Sequence, residues 1–170
     1  MDHFSTKPNN KGPKDYLVTA IHFQPQDDTQ QPKLAVGQSD CILFVYRWAA
    51  QDDSSEELVW KGKKSIVNKF LESAAVVSIA WPPSTASQCV YALTNGKIKV
   101  GNLRSNKSHI LYAIDSFTVS LAMNLSGTEL ISGHGDGSIY KFTFPTGSQE
   151  SSCVKLCDSP QTPLLLVWCT

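Results

Sequence analysis

The chain lacks any apolar run approaching the roughly 20 residues that a helix needs to cross a bilayer. It lacks an excess of either charge. Lys+Arg and Asp+Glu are both 15 in 170 residues, so no global field draws it to nucleic acid or to an anionic membrane. The opening segment MDHFSTKPNNKGPKD has no apolar centre, which excludes a secretory signal there. Cysteine is sparse and odd in number: Cys41, Cys89, Cys153, Cys157 and Cys169 follow no regular spacing. A disulfide framework is thereby disfavoured, and free thiols are expected. What remains is 41% apolar and 18% charged, a globular composition with length enough for one sizeable core.

One unit recurs. Glu129–Phe144, ELISGHGDGSIYKFTF, reads as two short strands joined at Gly135-Asp136-Gly137. Asp-Gly between apolar runs is a strong hairpin signal, and a type I′ turn with positive φ at both central residues is expected. Tyr140, Phe142 and Phe144 alternate with Ile139, Lys141 and Thr143, so the aromatic set shares one face, the expected buried one. Lys33–Trp48 and Val90–Leu103 repeat the pattern, with Asp40 and Asn95 at the turn. An apolar segment precedes each unit and ends near Phe23, Trp81 or Met123; the steps between these are 58 and 42 residues. The acidic insertion Gln51–Glu57 accounts for the longer first step. Four strands recurring every 40–45 residues or so form the signature of a propeller blade.

Taken in order, residues 1–15 read as a loop ending a missing blade, and 16–170 as a partial propeller. Its blades span about 16–70, 75–114 and 116–157, with the start of a further blade at 163–170, where Leu164–Trp168 is expected as an opening strand. Leu58–Trp60, or else Ser65–Phe70, is the expected outer strand of the first blade. Lysines 61, 63 and 64 lie between these two segments and protect an edge. Three blades and a single strand cannot close a ring, so the chain reads as part of a longer protein, or as a truncated product needing a partner to cover its open flanks.

No catalytic, cofactor-binding or metal site is expected. Ser132, His134 and Asp136 fall within five residues of one another, but a triad requires geometry that one short hairpin rarely provides; turn chemistry is the expected role. Gly133–Gly137 lacks the lysine and following helix of a phosphate cradle. Cys153 and Cys157 have no second pair to complete a zinc site. Asp27-Asp28, Asp52-Asp53 and Glu56-Glu57 fit no calcium loop. Two basic sets, Lys61, Lys63, Lys64, Lys69 and Lys97, Lys99, Arg104, Lys107, are expected to face outward.

The segments FSTKP (4–8), KLAVGQSDCILFVYRW (33–48), VNKFLESAAVVSIAWP (67–82), NGKIKVGNLRSNKSHILYAIDSFTVSLAMNLSG (95–127) and LISGHGDGSIYKFTF (130–144) resemble, in order, the N-terminal WD-repeat region of the intraflagellar transport protein 172 family. The resemblance implies an all-β fold, a partial WD40-type β-propeller of about three four-stranded antiparallel blades plus the first strand of a fourth. It implies a non-enzymatic scaffold of intraflagellar transport, with complex B subunits as partners, for cilium or flagellum assembly and maintenance. The implied location is the cilium or flagellum, basal body and cytoplasm. No nucleic acid, small-molecule substrate or cofactor is implied. The alternative is a coat-like adaptor that touches membrane or vesicle cargo weakly through basic blade edges. The Trp-Asp dipeptide of WD repeats is absent; the corresponding strands end Tyr46-Arg47-Trp48, Gly101-Asn102-Leu103 and Phe142-Thr143-Phe144.

Overall fold

The computed structural model describes residues 16–25, 33–49, 63–83, 85–148 and 150–168. Expectations for 1–15, Asp27-Asp28, Gln51–Glu57, Leu58–Trp60, Lys61 and Cys169 lie outside these residues. Within them the chain is all strand. The first sheet holds β1 (Val18–Phe23), β2 (Lys33–Gln38), β3 (Ile42–Ala49) and β4 (Lys63–Leu71). The second holds β5 (Val76–Ala80), β6 (Gln88–Leu93), β7 (Lys97–Asn102) and β8 (Lys107–Ala113). The third holds β9 (Thr118–Met123), β10 (Glu129–His134), β11 (Ser138–Thr143) and β12 (Ser152–Asp158). Each sheet is an antiparallel meander in chain order.

The three blades share one register. Ala20 pairs with Gly37, Ser78 with Ala92, and Ser120 with Gly133. Just before each pair the inner strand bulges, at Thr19, Val77 and Val119. A bulge bends its strand and sharpens the twist, which is what a wedge-shaped blade needs near its narrow end. The glycine in two of these pairs admits the segment that follows the blade. A Cβ on Gly37 would lie 2.7 Å from the Val76 Cβ, and one on Gly133 2.7 Å from the Pro163 ring.

Two apolar clusters fill the spaces between blades. Ala35, Leu43, Val45 and Phe70 of the first blade meet Ile79, Trp81, Cys89 and Tyr91 of the second. Val90, Ile98, Val100 and Tyr112 of the second meet Leu121, Leu130 and Phe142 of the third. In both cases an aromatic from the outer strand reaches the neighbouring sheet: Phe70 lies 6.0 Å from Tyr91, and Tyr112 stacks on Phe142 at 5.3 Å. Phe142 is thus buried as expected, with Tyr140 and Phe144 half-buried beside it.

Four expectations need correction. The hairpin turns are not type I′: Gly96 and Gly137 have positive φ, 76° and 90°, but Asn95 and Asp136 do not. Gly137 N–H closes back to the His134 carbonyl at 3.0 Å. This is a normal turn followed by one left-handed residue, the three-residue hairpin form. In the first blade Cys41 takes that left-handed place at φ 65°. Second, Lys63 and Lys64 do not precede the outer strand; they begin β4 and pair with Ala49 and Trp48. Third, Phe117 lies outside β9 and is exposed. Fourth, 164–168 forms no strand pairing among the described residues. The segment lies against β9, with Leu166 N–H donating to Ser120 Oγ at 3.0 Å. No second strand among the described residues accompanies it, and an extended segment becomes a ladder only with a partner.

Candidate functional site

The candidate surfaces grow from the way blades join. Between the first and second blades the joint is rich in hydrogen bonds. Thr19 Oγ1 donates to the Val76 carbonyl, Trp81 Nε1 to the His22 carbonyl at 3.1 Å, and Gln24 Nε2 to the Ala86 carbonyl at 3.2 Å. Buried Asn68 on β4 donates to the Leu103 carbonyl at 2.8 Å and to Asn106 Oδ1 at 3.1 Å. Asn106 also accepts from Lys69 N–H at 3.2 Å, so the β7–β8 turn covers part of the β4 edge.

Glu72, just past β4, is the centre of this joint. Its side chain is 2% exposed and its Oε2 accepts from Lys99 Nζ at 2.5 Å. Oε1 accepts from the Tyr91 hydroxyl at 2.5 Å and from Ser108 Oγ at 3.1 Å, while Glu72 N–H donates to the Cys41 carbonyl at 2.8 Å. One carboxylate therefore ties three strands of the second blade to the turn of the first. Burial, and next the bond to Glu72, hold the Tyr91 phenol well above its usual range. This network corrects the expectation that Lys99 faces outward: its head is turned inward onto Glu72, and only Lys69, Arg104 and Lys107 of the two basic sets are exposed among the described side chains. Sequence reasoning missed Glu72. The available signal was a lone carboxylate directly after the apolar end of a strand.

Ser132 and His134 do come together. Ser132 Oγ and His134 Nε2 are 2.8 Å apart, and His134 Nδ1 is 3.4 Å from the Ser116 carbonyl. Asp136 does not join them. Its Oδ1 accepts from Ser138 N–H at 3.0 Å and Ser138 Oγ at 2.6 Å, and those bonds hold its carboxyl below the usual carboxylate range. Ser132 and His134 are both fully buried, with the His134 ring meeting Tyr140 edge-on at 5.6 Å. A nucleophile needs access to substrate; this pair braces the hairpin. Burial also lowers the His134 pKa, opposed by the Ser116 carbonyl and Asp136.

The cysteines are dispersed. Cys89 is buried, which pushes its thiol up to about 12 and leaves it unreactive. Cys153 pairs opposite Phe142 and Cys157 opposite Ile139, with a bulge between them. Since Phe142 and Ile139 alternate along β11, the two thiols fall on opposite faces. Among the described residues no cluster of His, Cys, Asp or Glu fits a metal ion.

Two outer surfaces remain. On β1, Ile21 and Phe23 are 59% and 53% exposed, whereas Ile79 and Trp81 at the same places of the second blade are 5% and 3%. At the other end, β12 is exposed throughout, Val154 and Leu156 included. Leu164, Leu165 and Val167 are exposed beside it in sequence. The β1 positions thus lie open where the same positions of the second blade are covered by the first.

No protein-family model matches the chain. Curated relatives do. The rat protein named intraflagellar transport protein 172 homolog is 38% identical over 171 residues, 99% of this chain and 9% of that protein. The Chlamydomonas reinhardtii intraflagellar transport protein 172 is 43% identical over 147 residues, 85% of this chain and 8% of that one. Along this stretch the chain is a homologue of intraflagellar transport protein 172. The Caenorhabditis elegans intraflagellar transport protein osm-1 is 32% identical over 154 residues, 89% of this chain and 8% of its own length. The chain spans less than a tenth of these relatives. Among solved structures, the WD40 domain of Toxoplasma gondii coronin superposes with TM-score 0.59 at 16% identity, over 74% of this chain and 30% of that one. The C-terminal WD40 domain of Sif2 gives 0.58 at 17%, over 74% and 34%. At such identities the likeness shows the fold alone: a partial WD40 propeller.

Proposed function

We propose that this chain is a non-enzymatic scaffold element of the intraflagellar transport machinery, acting in the cilium or flagellum and at the basal body and cytoplasm that supply it. Its blades present loops and edge strands in fixed geometry to other subunits of complex B, and so support cilium assembly and maintenance. The observation that carries this reading is homology to intraflagellar transport protein 172 over 99% of the chain. The burial of the Ser132–His134 pair supports a role without catalysis. Affinity at such a surface comes from buried aromatic anchors, with rim charge setting orientation. The test is affinity purification of the tagged chain from ciliated cells. Complex B subunits should be recovered above an untagged control and survive a high-salt wash. Recovery of none, with flotation on anionic liposomes that is lost at high salt, would favour the membrane adaptor instead.

A further inference from the structure

The two inter-blade joints are closed differently at the outer rim. At the first, Asn68 on β4 is buried beneath the β7–β8 turn and donates to the Leu103 carbonyl. Asn106 Oδ1 accepts from Asn68 and from Lys69 N–H. On β8 the same position belongs to His109. Asn68 lies opposite Val45 and His109 opposite Val100, each valine five residues past its turn residue, Asp40 or Asn95. His109 thus shares the face of Val100, which packs toward the third blade. Ser108, between His109 and Lys107, turns the other way, to Glu72, as alternation along a strand requires. Yet His109 is exposed, whereas Asn68 is 4% exposed.

The connection that would cover His109 stands clear of it. Gly147 is the fourth residue past β11, as Asn106 is past β7. It repeats the left-handed backbone of Asn106, φ 59° against 53°, but brings no side chain, and a Cβ there would meet nothing within 4 Å. Residues 145–148 and Glu150 are exposed, and among the described residues no hydrogen bond joins this connection to β8. Arg104 and Lys107 flank His109, both exposed and in no ion pair among the described residues. The recess carries donors and positive charge, and lacks the side-chain acceptor that closes the first joint.

We propose that this recess, at the outer rim between the second and third blades, receives an acidic segment of a partner protein. A partner carboxylate takes the acceptor position that Asn106 fills at the first joint, over His109 and beside Lys107 and Arg104. An ionised acceptor bonds more strongly there than a neutral amide, and opposite charge sets its orientation. A bilayer surface is too flat to enter the recess. The site goes beyond the assignment to complex B, and a peptide probe reads it whichever complex is recovered.

The test is a nuclear magnetic resonance titration of the isotope-labelled chain with an octa-aspartate peptide. Amide shifts should concentrate at 104–110 and 144–148. Lys107→Ala combined with His109→Ala should weaken binding by about fivefold or more, and Arg104→Ala alone by about twofold. Lys69→Ala removes an exposed cation at the joint that Asn106 already closes and should leave binding unchanged. Shifts spread over every exposed lysine, or binding that survives in the double variant, would overturn the proposal. So would capture by phosphatidylserine vesicles that shifts the same amides and that octa-aspartate does not displace, since that marks a membrane contact instead.

Discussion

Lys99→Met is the most informative substitution in the chain. Methionine keeps the length and apolar stem of Lys99 but removes the charge 2.5 Å from Glu72 Oε2. The carboxylate, 2% exposed, is then left with the Tyr91 and Ser108 hydroxyls as its side-chain donors. Removing one partner of a buried pair typically costs about 3–5 kcal/mol, because the other charge stays buried and uncompensated. Two hydroxyls and the 15% exposure of Lys99 place the expected loss at the low end, about 3 kcal/mol. Glu72→Gln keeps an acceptor for the hydroxyls and lets the lysine head reach water, so about 1–2 kcal/mol is expected. Lys99→Met added to Glu72→Gln should cost little more, a coupling of about 2 kcal/mol in a double-mutant cycle. In urea titration, with a slope of about 2 kcal/mol per molar, Lys99→Met should lower the midpoint by roughly 1.5 M. Lys141→Met is the control: its partner Glu129 is 29% exposed and the lysine 33%, so a loss below about 1 kcal/mol is expected. A Lys99→Met loss as small as the control, or additive costs in the double variant, would refute the view of Glu72 as the bonded centre of the first joint.

Other consequences are open to the same titration. Gly37→Ala places a methyl 2.7 Å from Val76 Cβ and Cγ1 and should cost about 1–3 kcal/mol by overpacking; Val76→Ala in the same chain should recover part of it. Cys41→Gly should stabilise by roughly 0.5–1 kcal/mol, since Cys41 sits at φ 65° where a side chain is strained and glycine is not, less the entropy glycine adds to the unfolded chain; a lowered midpoint would contradict this. Burial holds the His134 pKa below its usual value, so the unfolded chain binds the proton first. Its contribution is complete above about pH 6.5 and is lost as pH falls below that toward the folded value. Between pH 7.5 and 5.5 the wild-type midpoint should therefore fall further than that of His134→Gln, and parallel falls would rule the effect out.

The strand order was legible in the sequence because the period-two apolar runs and the Asp-Gly and Asn-Gly turns each act locally. Val76–Trp81, Cys89–Leu93 and Ser138–Phe144 all fall within a residue or so of β5, β6 and β11. The turn type was not legible, since Asp136 tolerates either backbone form and the ladder decides which is used. Nor was the joint chemistry. Lys99 occupies an alternating strand position that normally faces water, and only the arrival of Glu72 from the preceding connection turns it inward. The same limit applies to Ser132 and His134, whose proximity in sequence was visible but whose burial was not. Leu164–Trp168 has the composition of a strand, yet pairing is a property of two segments, and one alone does not supply it.

Consecutive blades stack through their inner strands and outer-strand aromatics. Nuclear Overhauser contacts measured on the isotope-labelled chain test this most directly. The stacked arrangement predicts cross-peaks from Gly37 Hα to the Val76 methyls, from the Phe70 ring to the Tyr91 ring, and from the Tyr112 ring to the Phe142 ring. Cross-peaks confined within each sheet, with all three of these missing, would contradict it.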